Sequence, residues 1–214
     1  RAPEIARVLT SENGKPIAQA EAEVRKAGWI FSVFGEQSRR VLGNTYAMDA
    51  MPGTAGQLGL TIRQPLGVVV AVIPFNFPAT IVGHKCAPAL AGGNAVVLKL
   101  SEQCPLTGLM IAEEVLAAGI PPSAFHVLTG FGEEVGGPLV RSTLVDMITF
   151  TGSLETARIM TRESATSIKK FCFELGGNDP LIVFDDYDLN PVVAEVVRSR
   201  LSGVSGQMCF AVKR

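Results

Sequence analysis

Val68-Val69-Val70-Ala71-Val72-Ile73, followed by Pro74-Phe75-Asn76-Phe77-Pro78, is the stretch on which the architecture turns. An unbroken β-branched run suits a strand buried on both faces, because a strand with one wet face alternates polar and apolar residues. Prolines on either side of Asn76 then stop the strand and open a helix expected from Pro78 to Ala91. Outward from this point, similar short runs recur at Ala95–Leu98, Phe125–Leu128, Met147–Phe150 and Leu181–Phe184. Helical patterns fill the intervals at Leu106–Ala118, Glu133–Val140 and Leu154–Ser164, and another, Asn190–Leu201, follows the last run. Strand and helix in alternation, joined by short Gly/Pro turns, predict an α/β fold with a doubly wound parallel sheet. Ligands of such sheets bind beyond the carboxyl ends of the strands, so the residues just after each run are the ones to inspect.

Upstream, Pro3–Leu9 is a short amphipathic piece ended by Gly14-Lys15-Pro16, and a longer helix is expected from Ala18 to Val41. Residues 44–65, rich in Gly, Met and Thr, read as a strand or hairpin arm with little core character. The chain has 214 residues, 47% of them hydrophobic and 18% charged, ample for a packed core and incompatible with intrinsic disorder. Its 19 basic and 20 acidic side chains leave a net charge of −1, so no footprint for nucleic acid is present. The uncharged stretch Gln64–Gly83 is the nearest thing to a membrane span, but Pro65, Pro74, Asn76 and Pro78 break it, so no membrane role is expected. Four cysteines without a C-x-x-C pair, and only His84 and His126 to join them, predict no metal site. With no basic leader and no cysteine framework, the expected compartment is the cytoplasm.

The strand ends carry small polar clusters. Lys99 and Glu102 follow the second run, as a solvated pair opening a helix or as donor and acceptor for a ribose. Thr151-Gly152-Ser153 serves equally as turn and helix cap or as a phosphate cradle on helix N–H groups. Asn76 satisfies turn backbone or acts as a donor. Glu174, before Gly176-Gly177, is costly to bury unless paired or used. Cys209 alone fits a small buried hydrophobe as well as a nucleophile.

Taken together, Pro74-Phe75-Asn76-Phe77-Pro78, Lys99-x-x-Glu102, Phe150-Thr151-Gly152-Ser153, Glu174-Leu175-Gly176-Gly177 and Gly206-Gln207-x-Cys209 resemble, in order and spacing, the NAD(P)-dependent aldehyde dehydrogenase superfamily of the hydrolytic, non-CoA-acylating type. The resemblance covers essentially the whole chain. It implies a Rossmann-like coenzyme domain at 66–175, N-terminal helices at 1–46, an oligomerisation arm at 47–65 and the start of a catalytic domain at 176–214. It implies oxidation of a small-molecule aldehyde to a carboxylic acid with NAD, NADP being possible. Cys209 would be the nucleophile, the Asn76 amide and the Cys209 backbone N–H the oxyanion donors, Glu174 the base for thioester hydrolysis and Lys85 a proton relay. The cofactor would lie against Ile73, Pro74, Phe75, Lys99, Ser101, Glu102, Gly132, Phe150, Thr151, Gly152, Ser153, Leu175 and Gly176. Ala157, Leu100 and Phe75 depart from residues common in the family (Gly, Pro and Trp), and none of these is a reacting group.

Several alternatives accompany this resemblance. Coenzyme-A-acylating members lack the carboxylate at the position of Glu174, whose presence favours hydrolysis. A cysteine hydrolase would need His84 or His126 as base. Family members are more than twice this length, so the chain is expected to be a fragment: by itself an inactive dinucleotide-binding module, from a parent that forms a homodimer or homotetramer.

Overall fold

The computed structural model describes residues 1–202 and 204–214. Two helices, α1 (Ala2–Asn13) and α2 (Ile17–Gln37), meet at Gly14, whose φ of 76° closes α1 in the left-handed conformation that glycine adopts without a Cβ penalty. α2 stops at Gln37 rather than Val41, giving way to a 3₁₀ turn at Ser38–Arg40. An exposed antiparallel pair follows, β1 (Thr45–Ala47) with β2 (Leu58–Leu60), with Thr45 opposite Leu60. The alternating part comprises β3 (Val68–Val72), α3 (Pro78–Ala91), β4 (Ala95–Lys99), α4 (Pro105–Ala117), β5 (Phe125–Leu128), a π-type turn at Gly132–Gly136, α5 (Gly137–Arg141), β6 (Met147–Gly152), α6 (Leu154–Glu163) and β7 (Lys170–Leu175). Beyond it lie α7 (Leu189–Leu201) and a short 3₁₀ turn at Val204–Gly206.

Strands β3 to β7 form one five-stranded parallel sheet in the order β5-β4-β3-β6-β7. The apolar run at β3 behaves as its composition requires. Ala71 and Ile73 face a core with Leu9, Ala27, Val82, Cys86 and Leu98, under α1 to α4. Val70 and Val72 face the other core with Val140, Ile148, Phe150 and Met160, under α5 and α6. Both faces are thus covered by helices, the condition under which all-parallel sheets form.

Two expectations need correction. Among the described residues, Leu181–Phe184 is not a strand; the Leu181 N–H donates to the Arg214 carbonyl at 2.7 Å, the Phe184 carbonyl accepts the Tyr187 N–H in a local turn at 3.2 Å, and Phe184 is exposed. An apolar run without a neighbouring strand has nothing to pair its backbone. The fifth strand of the sheet is instead Lys170–Leu175, where Phe171, Phe173 and Leu175 alternate with Lys170, Cys172 and Glu174. It is an edge strand with one open face, so it shows period two rather than a continuous run. No helix of the described residues is long and apolar enough to cross a membrane.

Candidate active site

The strand order reverses between β3 and β6: the chain runs from β3 through β4 to β5 on one side, then returns to β6 and β7 on the other. At such a switch point the two flanking connections diverge and leave a crevice. The Asn76 turn after β3 and the Thr151–Ser153 segment at the end of β6 both open onto it. A cleft of about 710 Å³ lies here, bounded by Lys85 and Phe77 on the α3 side, Thr149, Cys172 and Glu174 from β6 and β7, and Cys209 and Phe210. Cys209 and Glu174 are exposed, whereas Lys85 is buried. Three of the four residues expected to carry chemistry therefore share one cavity.

Asn76 borders this group and is held at three points. Its side-chain Nδ2 donates to the Gln207 carbonyl at 2.7 Å, its Oδ1 accepts the Phe77 N–H at 3.1 Å, and its own carbonyl accepts from Lys15 Nζ at 3.0 Å. A primary amide has two N–H donors. One is used on the loop that carries Cys209, which fixes the amide plane and leaves the other for a ligand. Phe77 stacks on Phe210 with centroids 6.4 Å apart, a second tie between the turn and the cysteine loop.

Lys85 points its Nζ at Thr149 Oγ1, 3.1 Å away on β6. Burial pushes its pKa below the ordinary lysine value, against the opposing pull of Cys172 and Glu174. His84 lies in the same cleft, and burial with the charges of Lys26 and Lys85 holds its pKa down. Among the described residues no hydrogen bond joins His84 to Cys209, and His126 sits on the edge strand β5.

On the opposite side of the switch point, Lys99 is buried at the end of β4 and its Nζ meets Glu102 Oε2 at 3.1 Å. The Glu102 carboxyl is held below the usual carboxylate range, first by its own backbone N–H and then by Lys99. A buried ammonium and a half-exposed carboxylate, one turn apart, offer a donor and an acceptor to a vicinal diol such as a ribose. Ser101 is buried beside them. Ile73, Pro74 and Phe75 lead out of β3, Phe150 and Thr151 lie in the last part of β6, and Leu175 ends β7 with Gly176 just after it, all at the carboxyl end of the sheet. Gly132 opens the π-type turn after β5. Gly152 has no room for a side chain, since a Cβ there would meet the Phe150 ring at 2.3 Å.

Among the helices that follow strands of this sheet, α3, α4 and α6 have N-termini that are filled differently. At α3, Glu23 accepts the N–H groups of Ala79 and Thr80 at 3.0 and 3.2 Å. At α4, Glu12 accepts those of Leu106 and Thr107 at 2.5 and 2.8 Å and the Thr107 hydroxyl at 2.6 Å. At α6, the neutral Ser153 hydroxyl accepts the Thr156 N–H at 3.0 Å. Helix N-termini attract anions, and two of these already hold a carboxylate. Of these three, the α6 end is capped by a neutral hydroxyl rather than by a carboxylate from another helix, and with Lys99–Glu102 it offers donors and acceptors that a dinucleotide could use.

Sequence reasoning passed over Lys15, Glu23 and Cys172. Lys15 lies within Gly14-Lys15-Pro16, which reads as a helix terminator; its burial depends on the fold-back of α2 and leaves no local signal. Cys172 shares the open face of β7 with Glu174, a relation visible once the strand is recognised.

Known proteins resemble this chain in sequence and in fold. The chain is 42% identical over 212 residues to the glutarate-semialdehyde dehydrogenase of Pseudomonas aeruginosa, covering 99% of this chain and 43% of that protein. It is 40% identical over 212 residues to the NADP(+) succinate-semialdehyde dehydrogenase of Escherichia coli, with the same coverage. The crystal structure of the NADP-dependent glyceraldehyde-3-phosphate dehydrogenase of Bacillus halodurans, complexed with NADP, superimposes with a TM-score of 0.92 at 36% identity, covering 99% of this chain and 44% of that one. The chain thus spans less than half the length of the relatives it matches. The model of the aldehyde dehydrogenase family matches residues 1–214, and the chain belongs to that family.

Proposed function

We propose that a protein of the relatives' length carrying this chain oxidises an aldehyde to a carboxylic acid with NAD or NADP. The observation that carries this reading is the convergence of Cys209, Glu174 and Lys85 on one cleft, with the Asn76 amide fixed beside the cysteine loop. The Cys209 thiolate attacks the aldehyde carbon and forms a thiohemiacetal. The developing oxyanion takes the free Asn76 N–H and the Cys209 backbone N–H; losing one such donor costs about 3 kcal/mol of barrier. When bound, the nicotinamide supplies the acceptor for the hydride leaving that carbon. Glu174 then takes a proton from water, which attacks the Cys209 thioester and frees the acid. Lys85, anchored by its bond to the buried Thr149 and less basic than an exposed lysine, serves as a proton relay on the Glu174 side of the cleft.

Glu102 accepts hydrogen bonds from ribose hydroxyls and repels a 2′-phosphate, which favours NAD, while the NADP-dependent relatives support use of both. Residues 66–175 act as the coenzyme domain and 176–214 as the opening of the catalytic one. The 47–65 arm, with Leu58 and Leu60 exposed on an unpaired hairpin, serves oligomer formation. The semialdehyde relatives direct attention to aldehydes that carry a distal carboxylate.

The test is an aldehyde panel, succinate and glutarate semialdehydes included, given to the protein at the relatives' length with NAD and then NADP. NADH or NADPH formation with free acid as product, lost in Cys209→Ser, is the expected outcome. Acyl-CoA in excess over acid, when coenzyme A is added, would overturn the hydrolytic role of Glu174. The 214-residue chain alone is expected to show no turnover.

A further inference from the structure

We propose that Lys15 and Glu23 are positioning residues that set the Asn76 turn; this rests on the oxyanion role proposed above for Asn76. The two side chains form an ion pair, with Lys15 1% and Glu23 5% exposed. A buried pair is weak evidence for stability, because desolvation offsets most of the attraction and apolar residues of like volume often replace it without loss. What distinguishes this pair is where its remaining bonds go. Lys15 Nζ donates to the Asn76 carbonyl at 3.0 Å and lies 4.2 Å from the centroid of the Phe77 ring, which stacks on Phe210 beside Cys209. Glu23 takes the first free N–H groups of α3, whose N-cap residue, Phe77, has no side chain able to do so.

One ion pair thereby fixes both ends of the segment between β3 and α3. Lys15 holds the carbonyl of the residue whose amide faces the nucleophile loop. Glu23 holds the start of the helix that carries Lys85. Without these bonds, the Asn76 turn is held only by its side-chain bonds to Gln207 and Phe77, and the second amide N–H is less closely aimed. Near an oxyanion, a misplacement of about 1 Å costs up to about a hundredfold in rate.

The test uses the protein at the relatives' length and a double-mutant cycle. Lys15→Met with Glu23→Gln replaces both charges together, so neither is left buried without a partner. This pair is expected to lower kcat about tenfold with little change in KM for the dinucleotide. In an Asn76→Ala background, itself slowed about a hundredfold, the same pair is expected to cost little more. A merely structural role would give equal penalties in both backgrounds, and that result, or an unchanged kcat in the folded variant, overturns the proposal. Full activity of Asn76→Ala would overturn the oxyanion reading and this inference with it, whereas additive penalties overturn this inference alone. Should the paired substitution fail to fold, Glu23→Asp, which keeps the charge but shortens the reach, carries the same cycle with the same two outcomes.

Discussion

Val68–Ile73 and Leu181–Phe184 are short aliphatic runs of similar composition, each with a helix downstream, yet they reach different states. The first is flanked by β4 and β6, and Val70 and Ala71 are fully buried. The second makes one long-range backbone hydrogen bond, to Arg214, and a local turn bond from Tyr187 to Phe184, and leaves Ile182 77% exposed. Hydrophobic sequence specifies a demand for burial, and a strand forms only where neighbours supply both the apolar cover and the backbone partners. Residues 68–175 contain those neighbours; residues 176–201 present the demand unmet, with no residue of α7 buried.

The sharpest way to break this contrast is to truncate one aliphatic side chain on each side of it. Leu98 on β4 is fully buried, and Leu98→Ala is expected to cost about 2–5 kcal/mol in urea unfolding of the chain. Ile182→Ala is expected to stay within about 0.5 kcal/mol. Similar penalties at both sites would mean that the Leu181–Phe184 segment belongs to the cooperative core.

The parallel sheet was legible because β3, β4 and β6 are short apolar runs between turn residues, as a strand buried on both faces must be, and the edge strand β5 keeps enough of that run to be recognised. β7 was missed for the converse reason. Its open face admits Cys172 and Glu174, so it alternates, and six alternating residues between two loops resemble many loops. The position of Asn76, Lys99, Glu102, Thr151 and Ser153 at the carboxyl end of the sheet was legible because each sits at or just after the end of an apolar run. Their support was not legible: Glu12 and Glu23 reach across from α1 and α2 to helices far along the chain, and such contacts leave no periodicity or spacing to read.

The thiols provide a second measure of the same contrast. Cys86 on α3 and Cys104 at the start of α4 are buried, while Cys172 and Cys209 are exposed. Burial pushes the Cys86 pKa up from 9.0 to about 12, with Lys85 pulling the other way, and raises that of Cys104. A folded-state pKa above the unfolded one contributes stability that is complete below the unfolded value and lost as pH rises through the folded one. The Cys86 contribution is therefore intact at neutral pH and lost between about 9 and about 12. Titration with a chromogenic disulfide at pH 8 should modify Cys172 and Cys209 first. Cys86 and Cys104 should lag by about a hundredfold or more, since each 1.4 kcal/mol or so of opening free energy slows access tenfold. Rapid reaction of Cys86 in the native chain would contradict a closed core beneath α3.

The smallest expected effect comes from two helix caps that are alike in chemistry and different in setting. Ser153 Oγ accepts the Thr156 N–H at 3.0 Å to begin α6, which buries Ala157 and Met160 against the sheet. Asp188 Oδ1 accepts the Asn190 N–H at 3.0 Å to begin α7, which buries nothing. Removing either cap leaves a helix donor unpaired and costs its helix about 1 kcal/mol. For Ser153→Ala that cost is carried into global unfolding, because α6 cannot leave the sheet without exposing its buried face. For Asp188→Ala the cost falls on a helix that opens locally, so the urea midpoint of the sheet should move little while the helical signal weakens before the main transition. Equal shifts of the midpoint would show that α7 unfolds together with the sheet, and that its lack of a buried residue is no guide to its coupling.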